Sequence, residues 1–177
     1  MDGGAGNDRF IVDSSGDVLV EAADGGYDIA ELFASATLGD NVEMGTARGT
    51  ADLNITGNAS NNWLNGNSGA NTLDGGEGND RLQGGDGADV LIGGTGNDNL
   101  FGQAGTDTFV FNDGDGTDVI RDFETGETID LSGTSAGSFD ALVLKDVASG
   151  AFIDYGTGII VLSGVISTDL SDSDFQF

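Results

Sequence analysis

Oxygen-bearing side chains recur every nine residues between Gly57 and Val110. The stretch divides into six blocks, GNASNNWLN, GNSGANTLD, GGEGNDRLQ, GGDGADVLI, GGTGNDNLF and GQAGTDTFV, each opening with Gly. The sixth place holds Asn62, Asn71, Asp80, Asp89, Asp98 and Asp107. Carboxylates and carbonyls are hard donors that suit Ca²⁺, whereas Mg²⁺ demands a tighter octahedron. Neighbouring strands lie about 4.8 Å apart. Two oxygens on opposite sides of one Ca²⁺ lie about 2 × 2.4 Å apart, the same spacing. If alternate blocks stack, an ion fits between an Asp in one loop and the Asp eighteen residues on. Without an ion, two such carboxylates repel by roughly 1 kcal/mol in water, and more at lower dielectric.

The elements that must position these residues follow from the rest of the block. The last three places, as in Trp63-Leu64-Asn65, alternate out, in, out like a short strand. The eighth place is Leu64, Leu73, Leu82, Leu91, Leu100 or Phe109, an inward column. The first six places are Gly, Asn, Asp and small residues that turn the chain. Two blocks therefore make one coil, and a fixed period is the mark of a solenoid. The expected fold is all-β: a right-handed parallel β-solenoid with calcium between stacked turns and a short antiparallel C-terminal β cap.

Six in-register copies resemble the RTX family, the calcium-binding β-roll found near the C-termini of bacterial type I secreted proteins. The resemblance implies several Ca²⁺ ions and a ligand set. One loop gives carbonyls from places 2 and 4 plus its Asp; the next on the same side gives carbonyls from places 1 and 3 plus its Asp. On one side this makes a site of Gly76, Gly78 and Asp80 with Gly93, Thr95 and Asp98. On the other it joins Gly85, Gly87 and Asp89 to Gly102, Ala104 and Asp107. Asn62 facing Gly75, Glu77 and Asp80, and Asn71 facing Gly84, Asp86 and Asp89, should hold an ion weakly or not at all, because a neutral amide offers one oxygen and no charge.

Outside the six blocks the pattern loosens. Gly3–Ile11 is a complete nonad with Asp8 at place 6. Phe10–Val12 and Val18–Val20 read as strands around the loop Asp13–Asp17. The acidic loop Ala23–Asp28 would pair Gly4, Gly6 and Asp8 with Asp28, twenty residues on rather than eighteen, a distorted site. From Ile29 to Ile55 the repeat degenerates, and either metal-free solenoid coils or a short helix at Ile29–Ala36 fits. Dense asparagine from Asn54 to Asn71 suggests amides bonding between stacked turns. Asp113–Asp118 repeats the loop, so Asp98 and Asp118 would hold an ion with carbonyls of Gly94, Gly96, Asp113 and Asp115, although two extra residues precede that loop. Val119–Phe123 and Thr128–Leu131 read as the last coil strands, and Ser132–Ser138 as a linker. Ala141–Leu144, Ala151–Asp154 and Ile159–Leu162 read as antiparallel strands. The outer face of one sheet would show Trp63, Arg81 and Phe101, and that of the other Val90, Ile92 and Val110. The segment Phe139–Val165 is expected to cover the second face. Asp174–Phe177 is similar to family C-termini read by the type I exporter; the alternative is an edge strand.

Composition excludes several function classes. The chain has 177 residues, with 31 acidic against five basic side chains and a net charge of −26. That balance argues against nucleic acid and anionic membranes. Cys is absent, so calcium rather than disulfides must staple the fold. Pro is absent, as suits a ladder using every N–H. No run of 18 apolar residues occurs. His is absent, which removes Ser-His-Asp triads and HExxH sites. Gly133–Gly137 matches G-x-S-x-G by chance, and Trp63 either stacks on a sugar or packs on its neighbours.

Three segments are expected: 1–56, degenerate coils with one nonad; 57–131, the regular roll; and 132–177, a β cap with a type I secretion signal. No cleavable signal peptide is read, and Met1 falls at place 8 of an earlier nonad, as in the C-terminal piece of a longer protein. The resemblance implies a non-catalytic, secreted module that folds on calcium outside the cell, with calcium and the type I secretion machinery as partners. The alternatives are an adhesin or surface-layer module with a polysaccharide or cell-surface partner, and an accessory module of a secreted polysaccharide-modifying enzyme such as an alginate epimerase.

Overall fold

The computed structural model describes all 177 residues. Strands along the chain are β1 (Arg9–Val12), β2 (Ile29–Leu32), β3 (Ala36–Thr37), β4 (Met44–Ala47), β5 (Asn54–Thr56) and β6 (Trp63–Asn65). The regular blocks supply β7 (Thr72–Glu77), β8 (Arg81–Gly87), β9 (Val90–Thr95), β10 (Asn99–Gly105) and β11 (Thr108–Asn112). There follow β12 (Thr117–Ile120), β13 (Thr128–Gly133), β14 (Val143–Val147), β15 (Gly150–Asp154), β16 (Ile159–Ser163) and β17 (Phe175–Gln176). Helix is confined to three single 3₁₀ turns, Phe139–Ala141, Ser167–Asp169 and Asp172–Asp174. None is long or apolar enough to cross a membrane.

Successive strands of the roll alternate between two sheets. The first runs β1-β2-β4-β6-β8-β10-β12-β16-β15-β14, the second β17-β13-β11-β9-β7-β5-β3. Pairing is parallel throughout the roll, with Leu64 beside Leu82, Leu82 beside Leu100, and Leu73 beside Leu91. The nine-residue period dictates this register, because eighteen residues return each side chain to its own face one strand higher. Leu64, Leu73, Leu82, Leu91, Leu100 and Phe109 are wholly buried between the sheets. Each strand contributes one or two such side chains, so the core is a thin double file.

The degenerate region is solenoid, not helix: β2, β3, β4 and β5 continue both sheets without a break. Segments 1–56 and 57–131 are one stack. Val18–Val20 is not the strand its apolar run suggests. Only Asp2 and Val20 form an isolated bridge, and Val18 and Val20 are exposed while Leu19 points inward.

The C-terminal hairpins are antiparallel, as expected, but they do not cover Val90 and Ile92. Instead β16 pairs in parallel with β12, prolonging the first sheet, while β17 pairs with β13 and ends the second. The free edges of β12 and β13 carry unpaired N–H and C=O groups, and pairing them satisfies more than shielding a half-covered face would. Ser132–Ser138 is pinned rather than free: Ser135 N–H donates to Asp113 Oδ1 at 2.9 Å, and the same oxygen accepts the Thr157 hydroxyl at 2.6 Å. These bonds hold the Asp113 carboxyl below the usual carboxylate range.

Candidate metal centre

The turns stack into two polar columns. At the turns entering the first sheet stand Asp8, Asp28, Glu43, Asn62, Asp80, Asp98 and Asp118, each donating or accepting along the column. Asp8 N–H donates to Asp28 Oδ1 at 2.6 Å, and Asp28 N–H to Glu43 Oε2 at 2.8 Å. Further up, Asn62 N–H reaches Asp80 Oδ1 at 2.6 Å, Asp80 N–H reaches Asp98 Oδ1 at 2.7 Å, and Asp98 N–H reaches Asp118 Oδ1 at 2.9 Å. At the turns entering the second sheet, Asn71 N–H donates to Asp89 Oδ1 at 2.7 Å and Asp89 N–H to Asp107 Oδ1 at 2.8 Å. One oxygen of each aspartate after Asp8 thus ties its loop to the loop before it.

The second oxygen has nothing. Oδ2 of Asp8, Asp28, Asp80, Asp89, Asp98, Asp107 and Asp118 is buried without a hydrogen-bond partner. A buried, unpaired carboxylate oxygen is costly. Burial first, then the charge of Asp98, pushes the Asp80 carboxyl up to about 7, against the opposing pull of the Asn62 N–H. Burial likewise lifts Asp89 and Asp98 to about 6 and Asp118 to about 8. Neither ion pair of the chain relieves this, for both involve Glu31 on the outer face, with Arg9 and Arg48.

In the regular blocks the place-6 side chain curls against place 1, where there is room only for Gly. A Cβ on Gly75 would stand 2.2 Å from Asp80 Oδ2 and 2.5 Å from the Gly93 carbonyl oxygen. On Gly84 it would stand 2.3 Å from Asp89 Oδ2 and 2.8 Å from the Gly102 oxygen. The carboxylate of one loop and the place-1 carbonyl of the next therefore converge on the space that glycine leaves. Seven unpaired carboxylate oxygens, two of them seen to meet a place-1 carbonyl at Gly75 and Gly84, are a donor set that fits a hard cation such as calcium.

The expected site residues fall as follows. Gly76, Gly78, Asp80, Gly93, Thr95 and Asp98 lie in two stacked loops, with Gly76 facing Gly94 and Glu77 facing Thr95. Gly85, Gly87, Asp89, Gly102, Ala104 and Asp107 lie likewise, with Gly85 facing Gln103 and Gly87 facing Gly105. The loop Asp113–Asp118 keeps its stacking despite the insertion: Gly96 bridges Gly116, and Gly96 N–H donates to the Asp115 oxygen at 2.7 Å. A register shift between Val110 and Asn112 lies in the strand before it. Asn62 and Asn71 need no cation. Asn62 Oδ1 accepts from Asn58 N–H at 2.7 Å and its amide donates to the Val42 oxygen at 3.0 Å; Asn71 does the same with Asn67 and Leu53.

Three glutamates of the columns escape a reading tuned to Asp at place 6. Glu127 tops the second column beyond Asp107, buried, with Oε1 unpaired and Oε2 accepting from Glu124 N–H. Burial, then the Asp107 charge, lifts it to about 7. Glu43 holds Asp28 N–H, and Glu21 faces Asp8 and Asp28. The signal available was the acidic residue just before each strand: Glu127 precedes Thr128, as Asp107 precedes Thr108. Trp63 is not a bare platform, since Arg81 stacks between it and Phe101, 5.3 and 4.2 Å from the two ring centroids.

The family model of the RTX calcium-binding nonapeptide repeat, in four copies, matches residues 1–19, 54–82 and 83–118. No curated protein matches the chain. Among solved structures, the extracellular lipase LipA from Serratia marcescens aligns at a TM-score of 0.42 and 14% identity, over 88% of this chain and 45% of the lipase chain. The chain thus spans less than half the length of that lipase. The chain is thus a β-solenoid that carries RTX calcium-binding repeats over residues 1–19, 54–82 and 83–118, and calcium is its cofactor.

Proposed function

We propose that this chain is the calcium-triggered folding module of a larger exported protein. The observation that carries the reading is the double column of buried carboxylates, each with one oxygen tied to the neighbouring loop and the other unpaired. The ligands assigned are Gly76, Gly78, Asp80, Gly93, Thr95 and Asp98 on one side and Gly85, Gly87, Asp89, Gly102, Ala104 and Asp107 on the other. Asp118 with Gly94, Gly96, Asp113 and Asp115 continues the first column, and Gly4, Gly6, Asp8 and Asp28 begin it. The sites facing Asn62 and Asn71 are the weak ones.

Where free calcium is scarce, the thin core does not offset the repulsion along these columns, and the chain stays extended enough to pass a type I exporter. Outside the cell, calcium joins the loops, and binding contributes to folding by RT ln(1 + [L]/Kd) per site. Residues 132–177 then have two uses: a signal while unfolded and an end cap once folded, with Phe175 packed on Phe139 at 5.4 Å between ring centroids. The reading is tested by fusing the chain behind a passenger in cells carrying a type I exporter. Export should require residues 132–177; equal export without them would contradict the secretion role.

A further inference from the structure

The first coil departs from the nonapeptide pattern in one respect that changes its charge. Gly3 N–H donates to the Val20 oxygen at 3.2 Å, which sets Glu21 beside Gly3, eighteen residues on. Glu21 therefore occupies place 1 of its loop, where the regular blocks carry glycine and present only a carbonyl. Its side chain turns into the turn column. A Cβ on Gly3 would stand 2.1 Å from Glu21 Oε2 and 3.0 Å from Asp8 Oδ2, the position relative to glycine that the Gly93 carbonyl and Asp80 Oδ2 take at Gly75. A side-chain carboxylate has replaced a backbone carbonyl at the same point.

The two extra residues of the loop Glu21–Asp28 do not break the column. Asp24 adopts φ 62° and Gly26 φ 145°, and Gly6 N–H donates to the Gly25 oxygen at 2.5 Å, keeping the loops stacked. Asp28 arrives in line with Asp8. Carboxylate oxygens of Asp8, Glu21 and Asp28 all lie within 4.8 Å of one another. Asp28 is 0% exposed and Glu21 9% exposed, and Asp8 Oδ2, Glu21 Oε2 and Asp28 Oδ2 are all buried without a partner. Glu21 Oε1 is occupied, accepting from Ala22 N–H at 2.8 Å. The only ion pairs of the chain, Arg9–Glu31 and Arg48–Glu31, leave this cluster without a cationic neighbour.

We infer that Asp8, Glu21 and Asp28 form a three-carboxylate cation site in the first coil, with Glu21 a direct ligand. The site takes a hard divalent cation, calcium in this setting, which rests on the reading of the chain as a calcium-loaded roll. Three negative charges face the ion here against two in the Asp80–Asp98 and Asp89–Asp107 sites. Calcium affinity in oxygen sites is tuned by the charge count of the ligands, so this site fills before the regular ones and orders the coil at the start of the stack.

The test is a count of calcium bound by the full chain after dialysis, with chelator-competition titration of the affinities. The variants are Glu21→Gln, which keeps the oxygen that accepts from Ala22 N–H and removes only the charge, and Asp28→Asn. Each should lose one ion of the tightest class, or bind it at least about tenfold more weakly, about 1.4 kcal/mol, while the remaining ions and the β-structure at saturating calcium persist. Either variant retaining the wild-type number and affinities would overturn the assignment. So would loss of every ion together with the fold, which would make the triad a folding determinant rather than a cation site. Wild-type chain that binds no calcium would refute the calcium reading of the whole roll, a separate result.

Discussion

The backbone N–H of Asp80 donates to Oδ1 of Asp98 at 2.7 Å, while Oδ2 of that same Asp98 carboxylate is buried without a partner. One side chain thus does two things: it pins adjacent coils through the backbone and presents a charged oxygen to the space between them. Under the proposed ligand assignment the carboxylates, unlike ordinary surface acids, should act on stability and on calcium together.

Asp89→Ala should damage calcium-dependent folding more than Asn62→Ala. Asp89 holds Asn71 N–H and has an unpaired oxygen in the column with Asp107, whereas the Asn62 amide is fully used within the protein. Calcium titrations followed by circular dichroism should place the midpoint of Asp89→Ala well above that of Asn62→Ala. Equal midpoints would contradict the ligand assignment.

Gly93→Ala separates metal binding from backbone strain. Gly93 is not among the glycines of positive φ, so alanine strains no backbone dihedral there. Its Cβ would nonetheless stand 2.3 Å from Asp98 Oδ2. The expected result is calcium affinity lowered by about tenfold or more at the adjoining sites, about 1.4 kcal/mol. Unchanged affinity would show that the space beside place 1 is not used by an ion.

Much of this was legible in the sequence, and the failures share one physical origin. Leu82 and Leu100 fall eighteen residues apart and are neighbours in the first sheet, so period, core and the Asp80–Asp98 stacking could all be read from the blocks. Glu127 and Glu21 escape the pattern because the loops around them are two residues longer than the regular ones, and a register shift before the Asp113 loop hides the continuity of the columns. The position of Phe139–Val165 differs from the sequence expectation because apolar residues are visible in a sequence while the unpaired edge of β12 is not. That edge, not the face bearing Val90, captured Ile159–Ser163.

Protons should substitute in part for calcium. In the folded chain the carboxyls of Asp80, Asp89, Asp98, Asp118 and Glu127 are lifted to between about 6 and 8, chiefly by burial. Unfolded carboxyls titrate near about 4. The folded state therefore binds more protons than the unfolded one across that interval, and stability of the calcium-free chain is fullest below pH about 4 and falls as pH rises to about 8. In EDTA, more β-structure is expected at pH 4.5 than at pH 8.5, and calcium added at pH 6.5 should release protons. No gain of structure on acidification would contradict the account of the buried columns.

The central claim is that calcium, not the apolar double file alone, makes this chain fold. Far-UV circular dichroism of the whole chain at pH 8, first in EDTA and then with millimolar calcium chloride, tests it most directly, because most of the buried carboxyls have lost their protons there. A disordered spectrum in EDTA that turns β-rich on calcium is the expected result. An equally β-rich spectrum in EDTA would contradict the account.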